Sequence, residues 1–151
     1  MPYLEVRGGT LDRLGIRIEG APVVGGKARI GIYTSTSSTN LYPNSLVVDS
    51  GEVDVSAIGV KTVVISQSLS AGLYWFVYVH NTGSVQLCGS VSTDDTSPYI
   101  LGVASDLDPT TGNPRNVLRV SFAFAALPAT FPAGASLLRA TFPYVFARYS
   151  G

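Results

Sequence analysis

Apolar and polar residues alternate along much of this chain with a period of two. Leu14, Ile16 and Ile18 interleave with Arg13, Gly15, Arg17 and Glu19, which sends one set inward and the other to water, as in a half-buried strand. Ala28, Ile30 and Ile32 repeat the pattern against Lys27, Arg29, Gly31 and Tyr33. Residues 60–69 and 73–80 are rich in β-branched or aromatic side chains and read as further strands, as do 85–92, 117–124 and 144–149. Short strands over 3–6 and within 46–55 complete the set. No stretch carries the i, i+3, i+4, i+7 apolar spacing over the roughly 10–12 residues that a helix needs.

Turn residues punctuate these runs. Gly20-Ala21-Pro22, Gly25-Gly26, Tyr42-Pro43-Asn44, Asp49-Ser50-Gly51, Ser70-Ala71-Gly72 and Asn81-Thr82-Gly83 supply the fixed or positive φ that reversals require. Irregular tracts are expected over 35–44, 93–98, 106–116 and 127–137. Many short strands with Gly/Pro turns predict an all-β fold, an antiparallel β-sandwich or barrel. The chain has 151 residues, and a prior of roughly 150 per domain makes 1–151 a single domain.

The strand over 73–80 stands apart because neither face is polar. Leu73, Trp75, Val77 and Val79 share one face, and Tyr74, Phe76, Tyr78 and His80 share the other. A sandwich strand open to water on one side alternates with polar groups. Trp75 reads as the large filler between two sheets, so the second face needs a cover, either a loop of the same chain or another subunit. Charged residues are 13% of the chain, against about 25% in an ordinary soluble domain. That depletion favours an oligomer and makes Tyr74, Phe76, Tyr78 and His80 the candidate subunit interface.

Charge balance narrows the partners. Ten Lys and Arg against ten Asp and Glu leave a formal charge of zero. A balanced chain lacks the basic footprint that nucleic-acid backbones demand, and it has no pull toward anionic membranes. No apolar run reaches the length of a membrane-spanning helix, about 20 residues. The start, Met1-Pro2-Tyr3-Leu4-Glu5, has no signal-peptide pattern. Cys88 is the only cysteine, so no intrachain disulfide is expected, which fits folding in a reducing cytoplasm.

Catalytic chemistry is thinly supplied. With one histidine, His80, the usual His-ligated metal site cannot form within one chain, and a packed or edge histidine is the plain reading. No G-x-S-x-G elbow, P-loop or dinucleotide glycine fingerprint occurs. Cys88 sits in a strand-like run and reads as packing. Asp106, Asp108 and Thr110 have the alternating oxygen spacing of a calcium loop, but Thr111 stands where the turn glycine belongs and Val117 where the bidentate Glu belongs. No metal, cofactor or enzymatic activity is therefore expected. Tyr33, Tyr42, Tyr99 and Tyr144 lie in or near expected loops beside Ser, Thr and Asn. Rigid rings among adaptable hydroxyls and amides suit recognition of glycans or protein surfaces. The candidate ligand contacts are Asn40, Tyr42, Asp94, Asp95 and Tyr99.

A series of strings adds a resemblance. Lys27-Ala28-Arg29-Ile30-Gly31-Ile32-Tyr33 is followed by Tyr42-Pro43-Asn44-Ser45-Leu46-Val47-Val48-Asp49-Ser50-Gly51-Glu52-Val53-Asp54, then Gly59-Val60-Lys61, then Leu69-Ser70-Ala71-Gly72-Leu73-Tyr74-Trp75. In that order they resemble a β-sandwich domain near the C-terminus of fibre, spike and minor structural proteins of tailed bacteriophages and prophages. The resemblance spans residues 11–92, and the closing Pro143-Tyr144-Val145-Phe146-Ala147-Arg148-Tyr149 is similar too. It implies a jelly-roll-like knob, a homotrimer, displayed on the virion, assembled in the host cytoplasm and facing the host surface. No catalytic residue carries over. Family members have a long N-terminal shaft or anchor, whereas this chain begins almost at the domain. Either the anchor is a separate protein, or the chain is a small stand-alone virion component, or it is a trimmed domain.

The resulting expectation is a non-enzymatic virion structural protein, a fibre or spike knob that contributes to attachment to a host receptor or glycan, in contact with other virion proteins. The alternatives are a capsid decoration protein that braces the phage head, a carbohydrate-binding module, and, against the thin supply of catalytic groups, a glycan-processing enzyme.

Overall fold

The computed structural model describes residues 2–37, 40–83, 85–90, 117–138 and 142–151. Among them there is no helix, and every strand pairing is antiparallel. The strands are β1 (Pro2–Glu5), β2 (Gly9–Gly20), β3 (Lys27–Ser35), β4 (Pro43–Asp49), β5 (Val53–Asp54), β6 (Gly59–Leu69), β7 (Gly72–His80), β8 (Gln86–Leu87), β9 (Gly89–Ser90), β10 (Val117–Arg119), β11 (Ser136–Leu138), β12 (Phe142–Pro143) and β13 (Phe146–Tyr149).

Two sheets dominate. The first runs β1-β7-β3-β4, with β5 also on β3; the second runs β13-β2-β6, with β8 also on β2. One buried cluster joins Leu14, Ile16 and Ile18 of β2 to Ile30 and Ile32 of β3 and Tyr74 and Phe76 of β7. The inward faces of the two sheets thus share one core, the layering of a β-sandwich.

Simple alternation fails once in β2, and the structure shows why the fold tolerates it. Leu11 and Leu14 are three apart yet both fully buried, which a strict period of two forbids. The β2–β6 register slips between Leu11 and Arg13. Between those positions β2 advances two residues and β6 three, so Ile65 and Ser66 of β6 stand against Asp12 alone; this bulge shifts the phase of β2 against its partner, and both leucines face inward.

The central strand corrects the expectation for its two faces. Phe76 lies opposite Ile32, and Tyr78 opposite Ile30, so the Tyr74/Phe76/Tyr78/His80 face shares the side of the isoleucines and points at the second sheet. Trp75, opposite Tyr33, is on the outer face and not between the sheets. It is nonetheless 1% exposed, and its indole N–H donates to Leu41 O at 2.7 Å, in the loop after β3, and to Ser35 Oγ at 3.1 Å, at the end of β3.

A strap of the same chain covers the rest of that outer face. Leu46 N–H donates to Ala129 O at 2.9 Å and Phe131 N–H to Asn44 O at 2.7 Å, which extends the sheet past β4. Pro128 and Pro132 flank this short pairing and lack the amide that would carry it further. Tyr33, expected near a loop, is inside β3; its hydroxyl donates to Pro128 O at 2.7 Å, and Phe131 meets its ring edge-on at 5.3 Å. Gly31 permits the closeness: a β-carbon there would overlap a Leu127 methyl and lie 2.8 Å from Val48 O. Asp49 fastens the strap. Its Oδ2 accepts from Leu127 N–H at 2.9 Å and from Arg29 at 2.7 Å, and its Oδ1 accepts from Gly51 N–H at 2.9 Å.

Smaller expectations are also revised. The strand expected over 85–92 is two short pieces, β8 and β9, broken at Cys88, and its last residues lie outside the described part. That expected over 117–124 stops at Arg119, and the irregular tract over 127–137 ends in β11.

Candidate functional site

β1 sets the position of a groove. It is four residues long and pairs with β7 only from Gly72 to Trp75. Beyond Trp75, that side of β7 has no strand partner among the described residues. A groove of about 770 Å³ follows this open border, between β7, β8 and the β10–Ser121 segment. Its polar lining includes Tyr78, His80, Gln86, Arg119 and Ser121.

Two polar atoms at the groove are buried without a partner among the described residues, Tyr78 Oη and His80 Nδ1. The two rings stack, with centroids 5.2 Å apart and planes 24° apart. Burial alone pushes the Tyr78 phenol well above its usual range. An unpartnered buried hydroxyl costs about 1–3 kcal/mol. His80 is thus a packed histidine at a groove wall. Among the described residues no group of three His, Cys, Asp or Glu side chains is placed to hold a metal ion.

The candidate ligand contacts separate. Tyr42 is committed internally: its hydroxyl donates to Pro132 O at 2.7 Å, accepts from Ala135 N–H at 2.9 Å, and its ring meets Phe131 edge-on at 5.8 Å. It holds the strap and presents no free hydroxyl. Asn40 is exposed, and its Oδ1 accepts from Tyr42 N–H at 3.1 Å, shaping the loop that caps Trp75. Asp94, Asp95, Tyr99 and the Asp106–Asp108 loop lie outside the described residues.

The candidate subunit interface separates as well. Tyr74 and Phe76 are buried between the chain's own sheets, so they are not available to a sister copy; Tyr78 and His80 are partly buried at the groove. Cys88 is a free thiol whose backbone joins β2 to the C-terminal segment, through Cys88 N–H to Arg17 O and Tyr144 N–H to Cys88 O, each at 2.9 Å.

A second polar cluster, unforeseen from the sequence, ties the chain ends. Glu5, 5% exposed, accepts from Arg7 N–H and Gly8 N–H at 3.1 Å each, from the Tyr3 hydroxyl at 3.1 Å, and from the Tyr149 hydroxyl. Tyr149's hydrogen bond, above the others, holds the Glu5 carboxyl below its usual range. The cluster links β1 of one sheet to β13 of the other. Its members are 144 residues apart in sequence, and no local pattern announces such a contact. The groove residues Gln86, Arg119 and Ser121 were equally silent, because the groove exists only where β1 stops.

Comparison with protein-family models, with curated proteins and with solved structures returned no match.

Proposed function

We propose that this chain is a non-enzymatic structural component of a tailed-phage virion, a jelly-roll-like fibre or spike knob that contributes to attachment to the host surface. The observation that carries this reading is where the phage-like strings fall. Residues 27–33, 42–54 and 69–75 lie in β3, β4, β5 and the start of β7, and together they supply Gly31, Tyr33, Asp49 and Trp75. Those four residues make the strap-covered outer face, while the strings at 59–61 and 143–149 fall in β6, β12 and β13, so the resembling strings supply strands to both layers of the sandwich. The groove, with stacked Tyr78 and His80 beside Gln86 and Arg119, supports a binding role: a concave wall of rings with a few polar groups suits a hydroxylated ligand such as a glycan. The resemblance implies three copies.

The experiment is localisation. Fluorescently labelled protein added to host bacteria and to purified phage heads should bind the bacteria and leave the heads bare. Binding to heads alone would replace attachment with capsid decoration. Binding to neither, with retention on a glycan array, would leave a carbohydrate-binding module.

A further inference from the structure

Two loops at one end of the sandwich break the pattern that exposed turns are polar. Residues 20–26, which join β2 to β3, contain only Gly, Ala, Pro and Val. Residues 55–60, which lead from β5 into β6, contain one polar side chain, Ser56. Each run is bracketed by one acid and one base, Glu19 and Lys27 around the first and Asp54 and Lys61 around the second, so charge cancels at both.

The fold brings the two runs together. Gly59 pairs with Ile18 near the end of β2, Lys27 pairs with Asp54, and Val55 N–H donates to Gly26 O at 3.0 Å. Two left-handed residues, Ala21 at φ 44° and Gly25 at φ 76°, fold the first loop back on itself. Val24 is left 96% exposed and Ile58 61%, with Ala21, Pro22 and Ala57 exposed beside them in the chain. Single exposed aliphatics are ordinary, but on adjoining loops they make one end of the molecule apolar.

The backbone of this end is hydrogen-bonded within itself. Gly26 N–H donates to Val23 O at 2.8 Å, and Ser56 N–H to Asp54 Oδ1 at 2.8 Å. Asn81, just after β7, closes the base: its Oδ1 accepts from Lys27 N–H at 2.8 Å and its Nδ2 donates to Gly25 O at 3.5 Å. Pro22 has no amide to satisfy. Backbone groups paired in this way escape the desolvation penalty that open turns meet in an apolar layer. Protein interfaces anchor on Trp, Tyr and Arg seated in fitted pockets, and neither loop contains any of the three. A lipid interface accepts aliphatic side chains with no pocket to match.

We propose that this end enters the interfacial layer of a lipid bilayer, with Val24 and Ile58 as the inserted side chains and the balanced charges behind them left in water. The attraction is apolar and not electrostatic, so it needs no anionic lipid. It does not rest on the virion reading.

Co-sedimentation of the whole chain with vesicles tests it, using phosphatidylcholine alone and phosphatidylcholine mixed with phosphatidylglycerol. Wild type should bind both equally, and the binding should survive high salt, which screens charge. Removing one buried Val or Ile side chain from such a contact is worth a factor of about 10–100. Val24→Asp and Ile58→Asp should therefore each weaken binding at least tenfold, with melting temperatures unchanged because both positions are exposed. Val6→Asp, 71% exposed and just before β2 at its opposite end, should bind as wild type does. Absence of binding to phosphatidylcholine vesicles overturns the proposal. So does binding confined to the anionic vesicles or lost in high salt, and so does binding undiminished in both loop variants. The attachment reading is decided separately, by labelled protein on host cells.

Discussion

Replacing Phe76 with alanine separates a core residue from an interface residue. Phe76 is 3% exposed, stacks on Tyr3 at 4.6 Å with planes 14° apart, and sits across from Ile32 in the buried cluster. Truncating a buried phenylalanine costs about 3–5 kcal/mol, part lost transfer energy and part cavity. For a domain of this length each kcal/mol lowers the midpoint by about 2–4 °C, so Phe76→Ala should melt about 6–20 °C early. The assay is thermal unfolding of the monomeric species, with sedimentation on the same samples. The fold requires the loss to appear at a concentration where no oligomer exists. A variant that melts with wild type as a monomer and merely fails to associate would return the Tyr74/Phe76 face to a subunit boundary and refute the packing described above.

Other perturbations probe the strap and the chain-end clasp. Gly31→Val forces a side chain into the space of the Leu127 methyl and should cost about 1–3 kcal/mol as overpacking; amide exchange at Leu46 and Phe131, whose N–H groups hold the strap, should accelerate, and unchanged exchange would place the strap elsewhere. The Glu5 carboxyl is held below its ordinary value, so the stability it brings is complete above the unfolded value of about 4.3 and drains away as pH falls through the lower folded value. Glu5→Gln should therefore flatten the acid limb of stability against pH, and an acid limb identical to wild type would mean the carboxylate is unpaired in solution. The Tyr149 phenol is raised by its bond to Glu5, so Tyr149→Phe should also remove an alkaline loss of stability that in wild type sets in above about pH 10.

Alternation made part of this fold legible. Leu14, Ile16 and Ile18, and Ala28, Ile30 and Ile32, are all fully buried, as a period of two demands. Two features escaped it for physical reasons. The burial of Leu11 depends on a register slip, Ile65 and Ser66 against Asp12, that appears only in the pairing with β6. In β7 both faces are apolar, so hydropathy cannot choose the inner one; the register Ile32 to Phe76 does, and that register is a tertiary fact. Tyr42 looked like a recognition residue because it sits among polar neighbours, yet its hydroxyl is consumed by Pro132 and Ala135. The cover over Trp75 is the loop and strap of one chain, tied by Asp49, Tyr33 and Tyr42 to a Pro-bearing stretch about ninety residues away in sequence. Nothing in a local window links those segments.

That the chain covers both apolar faces of β7 by itself is the claim on which the rest stands, and Trp75 reports on it directly. It is the only tryptophan, so fluorescence quenching by iodide reads one site without correction. In a sample that sedimentation shows to be monomeric, Trp75 should emit as a buried indole and resist iodide, losing that protection only when the protein unfolds. A folded monomer whose tryptophan is open to iodide, and becomes shielded only as copies associate, would contradict the account.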